Sequence, residues 1–344
     1  VLTDAFTLVD RATVARHLAD VDVVEVVREA LKHHARGQTV LPTEGYLPWV
    51  NEQGAQARSL AMLGAIQTGS QSLYGAKVIN SAISNPARGM ERAGGFVMLF
   101  DPETARPRIL AEGGLISATR TAAYTVASLG QLGPASPRRV SILGCGTLAA
   151  AHLRLLNSHV GSIEVAHVYD HDPARAAELA RLAAEHVERI QIVTETDPLQ
   201  CVRASNVLIT TTTSTQPYID STWFEQPTFV AHVSLDDVDA SVFAAAELVV
   251  VDDLALVREN PRRVLGRLLQ DASPPGLSDV LRTDPAVLGE LLLEEVVPMR
   301  PDRSHIVSNP FGMAILDVAL LGAVAPRIEA VGDGYTVDLV AGLH

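Results

Sequence analysis

The strongest constraint on this chain is the run from Arg138 to Ala149, Arg-Arg-Val-Ser-Ile-Leu-Gly-Cys-Gly-Thr-Leu-Ala. Val140 to Leu143 form an apolar segment short enough for a buried parallel strand, and it leads straight into a glycine turn and a helix-like stretch. In this GxGxxA pattern Gly144 permits the tight turn and Gly146 lets the backbone approach a pyrophosphate. Ala149, in place of a third glycine, still allows close helix-strand packing. A helix N-terminus aimed at a diphosphate supplies the attraction. Gly144, Gly146, Thr147 and Leu148 are therefore the expected cofactor contacts. Alone, such a pattern is a weak signal, but a second unit follows. Ile163 to Tyr169 reads as the next strand, and Asp170 closes it. A carboxylate there accepts hydrogen bonds from an adenosine ribose and repels a 2′-phosphate, which favours NAD over NADP. His171 and Arg175 keep NADP as the alternative. The plainer role for Asp170 is a turn residue before a helix, although Asp172-Pro173 already supplies a favourable N-cap and N1 pair.

Strand and helix signals alternate beyond this point, through Asn206 to Thr211, Phe229 to Val233 and Leu248 to Val251, the pattern of a parallel α/β sheet. Earlier, Asp10 to His34 has helical periodicity. Short strands are expected at Gly45 to Trp49, Arg58 to Leu63, Tyr74 to Asn80, Gly95 to Phe100 and Arg108 to Glu112. A helix started by Ser117 then runs toward Gly133-Pro134. Met313 to Val324 reads as an apolar helix that crosses back to this first part. The expected fold class is α/β, a Rossmann-type nucleotide-binding domain over 134–304 beside an α+β domain over 1–133 that 305–344 completes.

With 344 residues there is enough chain for two cores, and a formal net charge of −13 argues against a nucleic-acid partner. Cys145 and Cys201, the two cysteines, have no CxxC spacing, so neither a disulfide framework nor a zinc site is suggested. Adjacent His33 and His34 point to different sides of a helix and make a poor metal pair. No metal is expected. Every apolar run is broken before membrane-spanning length, and the N-terminus lacks a basic region followed by an apolar core. A cytoplasmic protein with no membrane partner is the expectation.

Three blocks in order, Gly75-Ala76-Lys77-Val78-Ile79-Asn80, Ile116-Ser117-Ala118-Thr119-Arg120-Thr121-Ala122-Ala123 and Gly144-Cys145-Gly146, resemble the ornithine cyclodeaminase and mu-crystallin family. The resemblance spans roughly Val14 to Val324, and its most specific part is the block around Arg120. Asn85 to Gly89, Leu99 to Thr104 and Val233-Ser234-Leu235 look most like the branch of N-(2-amino-2-carboxyethyl)-L-glutamate dehydrogenases, which serve 2,3-diaminopropionate biosynthesis for siderophores and peptide antibiotics. The resemblance implies oxidation of a secondary amine joining two amino acids, with formation of NADH and hydrolytic release of 2-oxoglutarate and 2,3-diaminopropionate. It also implies a homodimer formed through the first domain, which binds the substrate.

Carried over by motif, Lys77 and Arg120 contact the substrate, and Asp237 is the catalytic carboxylate, with Asp236 one step upstream as the alternative. The chemistry suits these types. An arginine fork holds a carboxylate bidentately, a confined lysine can exchange a proton with an amine, and an aspartate after a sheet strand can act as a base. Lys77 also lies inside an apolar strand, where a charge requires partners. The plainer role for Asp237 is the N-cap of a helix beginning near Val238. Two departures weigh against ornithine cyclisation: Leu60 stands where cyclodeaminases carry a strand glutamate, and Ser241 where they carry a lysine. Arg58 and Arg92 are additional candidates for substrate carboxylates, the alternative for each being solvation. The competing readings are a cyclodeaminase or ketimine reductase acting on a cyclic imino acid, and a non-catalytic binding protein like mu-crystallin.

Overall fold

The computed structural model describes residues 4–70, 72–270, 281–294 and 305–340. It divides into two compact units, Val1–Arg120 with Gly312–His344, and Thr121–Phe311. The division expected at 133/134 thus compares with 120/121, inside the Gly113–Leu132 helix. The other expected boundary, 304/305, compares with 311/312, because the strand His305–Ser308 pairs within the sheet of the second unit.

The first unit holds a mixed sheet of eight strands. Its order is Tyr335–Asp338, Ala5–Val9, Pro107–Glu112, Ala93–Phe100, Ser72–Ala82, Gln56–Gln67 and Thr39–Val40, with Gly45–Val50 also pairing on Gln56–Gln67. The three central strands are long antiparallel partners, in a register that sets Lys77 opposite Met62 on one side and Val97 on the other. One face of this sheet is covered by the Ala314–Val331 helix. That helix is apolar almost all round, as a helix in the middle of a core must be, and its other side meets helices Arg11–Leu18 and Val23–Ala35. It seats closely because the strands offer glycine beneath it. A Cβ on Gly75 would lie 2.8 Å from Val318 and 2.5 Å from the Met98 carbonyl, and one on Gly64 would lie 3.0 Å from Ile315.

The second unit is a parallel sheet of eight strands in the order Gln191–Thr194, Val165–Tyr169, Arg139–Leu143, Val207–Thr210, Phe229–His232, His305–Ser308, Ala246–Val251, Ala286–Val287. Its central strands are buried along their whole length, which is why they read as continuous apolar runs. Aspartates start the short helices: Asp172 accepts the Ala174 N–H, Asp197 that of Leu199 and Asp253 that of Leu256. Strand order reverses at Arg139–Leu143, the doubly wound α/β arrangement.

Several sequence expectations need adjustment. The helical pattern over 10–34 is two helices, because Asp22 accepts the Glu25 N–H and restarts the chain after Leu18. The helix expected to start at Ser117 begins at Gly113, where Glu112 takes the N–H groups of Gly114 and Leu115. The last helix runs through Pro326 to Val331 instead of stopping at Val324.

Candidate active site

In the first unit, Lys77 Nζ donates to Asp317 Oδ2 at 2.7 Å, and Arg120 Nε lies 3.4 Å from the same oxygen. Asp317 is fully buried and Lys77 is 3 % exposed. The sequence carries one signal for Asp317, an acid inside the apolar stretch from Met313 to Val324, and the motifs pass over it. Burial and the nearby Arg120 charge pull the Lys77 ammonium down to about 8, while Asp317 and Glu44 act in the opposite direction. Arg120 also donates from Nη2 to Ser117 Oγ at 3.3 Å, so the residue expected to start a helix positions the guanidinium instead. Gly312, at φ +105°, leaves the space beside the fork, since a Cβ there would sit 3.0 Å from Nη1. Two cations share one contacting carboxylate in this desolvated cluster, with Glu44 acting on Lys77 as well, a setting that can take an incoming carboxylate at the Arg120 fork.

Arg58 and Arg92 are both half-buried in this unit. Arg58 Nε donates to Ser81 Oγ at 3.3 Å, its partner across the strand pair, on the sheet face that also carries Lys77. Burial, followed by the Arg58 charge, lowers the Arg92 pKa, so the two guanidinium groups sense each other. A groove of about 560 Å³ lined by Trp49, Asn80, Ser81, Asn85 and Gly94 adjoins them in sequence and register. Leu60 stands on the same face as Lys77, opposite Ile79.

In the second unit the glycine turn sits at the carboxyl end of Arg139–Leu143. Gly144 adopts φ +91°, and a Cβ on it would lie 2.8 Å from the Thr211-Thr212 backbone. Gly146 contrasts with it: a Cβ there meets nothing within 4 Å, and no side chain caps the Thr147–His159 helix that it begins. Room for a diphosphate therefore exists where the helix starts. Thr147 and Leu148 are the first residues of that helix. Asp170, nearly buried, accepts the Cys145 N–H at 2.8 Å and the Asp172 N–H at 3.0 Å, so it stiffens the glycine turn.

Thr211 and Thr212 connect this turn to Asp237. Thr211 Oγ1 donates to the Gly144 carbonyl at 2.8 Å, and the neighbouring Thr212 Oγ1 donates to Asp237 Oδ1 at 2.6 Å. Ser234 donates to the other carboxylate oxygen, and the Tyr218 hydroxyl also bonds the carboxylate. The Asp237 N–H donates to Nε2 of His232, a ring whose burial depresses its pKa to about 3. Asp237 is fully buried, and burial pushes its carboxyl above the ordinary range in spite of the donors. It caps no helix: that role belongs to Asp239, which accepts the Ser241 N–H at the start of Ala240–Ala245. Asp236 points elsewhere, onto Arg267 Nη2 at 2.6 Å. Ser241 is consumed locally, donating to Asp239 and accepting the Ser221 N–H.

A reversing parallel sheet with a glycine turn at its switch point, in a chain whose other unit is a mixed sheet holding a buried lysine, arginine and aspartate, defines a dinucleotide-type oxidoreductase fold. Residues 5–331 match the model of the ornithine cyclodeaminase/mu-crystallin family, and the chain belongs to that family. It is 29% identical over 317 residues to the N-((2S)-2-amino-2-carboxyethyl)-L-glutamate dehydrogenase of Staphylococcus aureus, an alignment covering 92% of this chain and 93% of the relative. Among solved structures, CmnK superposes with a TM-score of 0.92 at 46% identity, over 99% of this chain and 100% of CmnK. An archaeal alanine dehydrogenase dimer with bound NAD superposes at 0.80 with 22% identity, over 97% and 99% of the two chains. The chain is an oxidoreductase of the NAD(P)-dependent class that acts on amino acids. Among the described residues no helix is long and apolar enough to cross a membrane.

Proposed function

We propose that the protein oxidises N-(2-amino-2-carboxyethyl)-L-glutamate with NAD, releasing 2,3-diaminopropionate, 2-oxoglutarate and NADH. The observation that carries this reading is the set of buried or half-buried cations in the first unit: Lys77 and Arg120 share the buried carboxylate Asp317, with Glu44 also acting on Lys77, and Arg58 and Arg92 form a second pair. A substrate with three carboxylates needs such a set, whereas ornithine, with one carboxylate and two amines, does not. The departures agree. Leu60 offers no carboxylate to an amine, and Ser241 is held in a capping motif. Resemblance to the Staphylococcus aureus dehydrogenase supports the same substrate.

In this reading Arg120 clamps the α-carboxylate of the carbon that loses hydrogen, while Arg58 and Arg92 receive the carboxylates further along. Gly144, Gly146, Thr147 and Leu148 hold the diphosphate of NAD, and Asp170 the adenosine ribose. NAD, when bound, accepts the hydride. Lys77, with a pKa near 8, takes the proton that leaves the substrate amine neutral so that its lone pair assists hydride departure. Water adds to the resulting carbon-nitrogen double bond as Asp237 accepts its proton; that proton passes to the departing nitrogen, and the carbon-nitrogen bond breaks as the hydroxyl loses its own proton and becomes the keto oxygen of 2-oxoglutarate. Substrate, NAD⁺ and water become 2,3-diaminopropionate, 2-oxoglutarate, NADH and a proton.

We also infer a homodimer. Leu47, Trp49 and Val50 on Gly45–Val50 and Leu63 on the neighbouring strand are exposed, an apolar surface suited to a second copy. The decisive assay follows NADH appearance on adding the linked substrate and identifies both products by mass spectrometry. NADPH consumption with a cyclic imine in its place supports a ketimine reductase, and tight binding without turnover supports a binding protein.

A further inference from the structure

The Lys77 cluster contains a residue for which the reaction scheme has no task. Asp317 stands 240 positions from Lys77 along the chain, yet its Oδ2 is the hydrogen-bond partner of Lys77 Nζ at 2.7 Å and the nearest anion to Arg120 Nε at 3.4 Å. It has no solvent exposure. Two polar atoms of this cluster, Asp317 Oδ1 and Arg120 Nε, are buried without a hydrogen-bond partner. A carboxylate buried this deeply, with one oxygen unpaired, is costly to maintain by stability alone. Its neighbours explain why it is kept.

We propose that Asp317 is the positioning residue of the substrate site: it orients Lys77 and Arg120 as a pair and supports the charged form of Lys77. The charged groups facing Lys77 are Arg120 from the Gly113–Leu132 helix, Asp317 from Ala314–Val331 and Glu44 from the segment before Gly45–Val50. Burial and Arg120 drive the ammonium toward the neutral amine, and only the two carboxylates resist. Asp317 is the one in contact. Its removal therefore leaves Lys77 neutral well below its present midpoint, whereas a substrate carboxylate arriving at Arg120 opposes the Arg120 field and returns a proton to Lys77. The close seat of the helix over Gly64 and Gly75 is what delivers Asp317 to this place.

This inference rests on the proposed catalytic role of Lys77 only for its effect on rate, so its test begins without substrate. Lys32 and Lys77 are the only lysines in the sequence. Protein labelled with ¹⁵N-lysine therefore gives two side-chain signals, and Lys32, paired with Glu29 on a helix surface, serves as the internal reference. In the unliganded wild type the Lys77 signal should titrate near 8. In Asp317→Asn it should titrate at least about one pH unit lower, with Lys32 unmoved, and in Asp317→Glu it should return toward the wild-type value. The pH limb of NADH formation should move with it. A Lys77 midpoint unchanged in Asp317→Asn overturns the proposal. Should that variant not fold, the wild type still decides: a midpoint in the ordinary lysine range, near 10.5, overturns it as well. Failure of the linked substrate to react refutes the proposed reaction and leaves these titrations standing.

Discussion

Asp237→Asn separates the chemistry of a carboxylate from its structural presence. The substitution keeps the shape of a fully buried side chain and removes its charge. Thr212, Ser234 and Tyr218 donate to the carboxylate, and exchanging charge-assisted for neutral hydrogen bonds costs about 1 kcal/mol per donor, or roughly 3 kcal/mol for the three. Against this stands the penalty of keeping an ion from water, about several kcal/mol even after relaxation. Because burial is the largest influence on this group and raises its pKa, the second effect wins. A carboxyl whose folded pKa lies above its unfolded value of 3.8 gives its full stability below 3.8 and loses it as the pH rises through the folded value. Asparagine does not titrate and escapes that loss. At neutral pH the variant should therefore melt no lower than the wild type, while turnover falls by about 10²-fold or more, the scale of a general base. Initial rates of NADH formation and calorimetric melts, both at acid and neutral pH, measure the two effects. Wild-type turnover in Asp237→Asn refutes carboxylate catalysis at this position, and a much lower melt at neutral pH refutes the dominance of burial. Asp236→Asn is the companion: since Asp236 lies on Arg267, its loss should leave turnover within a few-fold. A collapse there beside a normal Asp237→Asn moves the catalytic role one residue upstream.

Arg120→Lys preserves charge but not the fork, so kcat/KM for the linked substrate should drop by at least about 10-fold with NAD affinity retained; wild-type kinetics would remove Arg120 from the carboxylate clamp. Asp170→Ser should narrow the preference for NAD over NADP in titrations, because the repulsion toward a 2′-phosphate is lost, and unchanged selectivity would mean that Asp170 serves only the Cys145 and Asp172 N–H groups. The rate of NADH formation should rise with pH through about 8 as Lys77 loses its proton, and Lys77→Met should abolish that limb along with most activity; a limb that persists belongs to another group. Leu47→Asp should shift a dimer to monomer in sedimentation, and an undisturbed dimer would place the interface on another surface.

The features legible from local sequence lie mainly in the second unit. Val140 to Leu143, Val207 to Thr210 and Phe229 to His232 are buried on both faces, so their apolar runs show directly in composition. A glycine turn and an aspartate after a strand are likewise local requirements, met within a few residues of one another. Family motifs drew attention to Lys77, Arg120 and Asp237 without explaining their surroundings. Tertiary structure alone decided those surroundings. The Lys77 to Asp317 contact joins a strand near one end of the chain to a helix near the other, and its register depends on how closely the helix settles over Gly64 and Gly75. Around Asp237, the hydroxyls of Thr212, Tyr218 and Ser234 come from segments following two different strands, and each alone is an unremarkable loop or turn residue. Period and composition record which face of an element is buried. They do not record which side chains meet across elements, because that depends on helix-to-sheet distance and strand order, and it is there that a lysine acquires a shifted pKa and an aspartate loses contact with water.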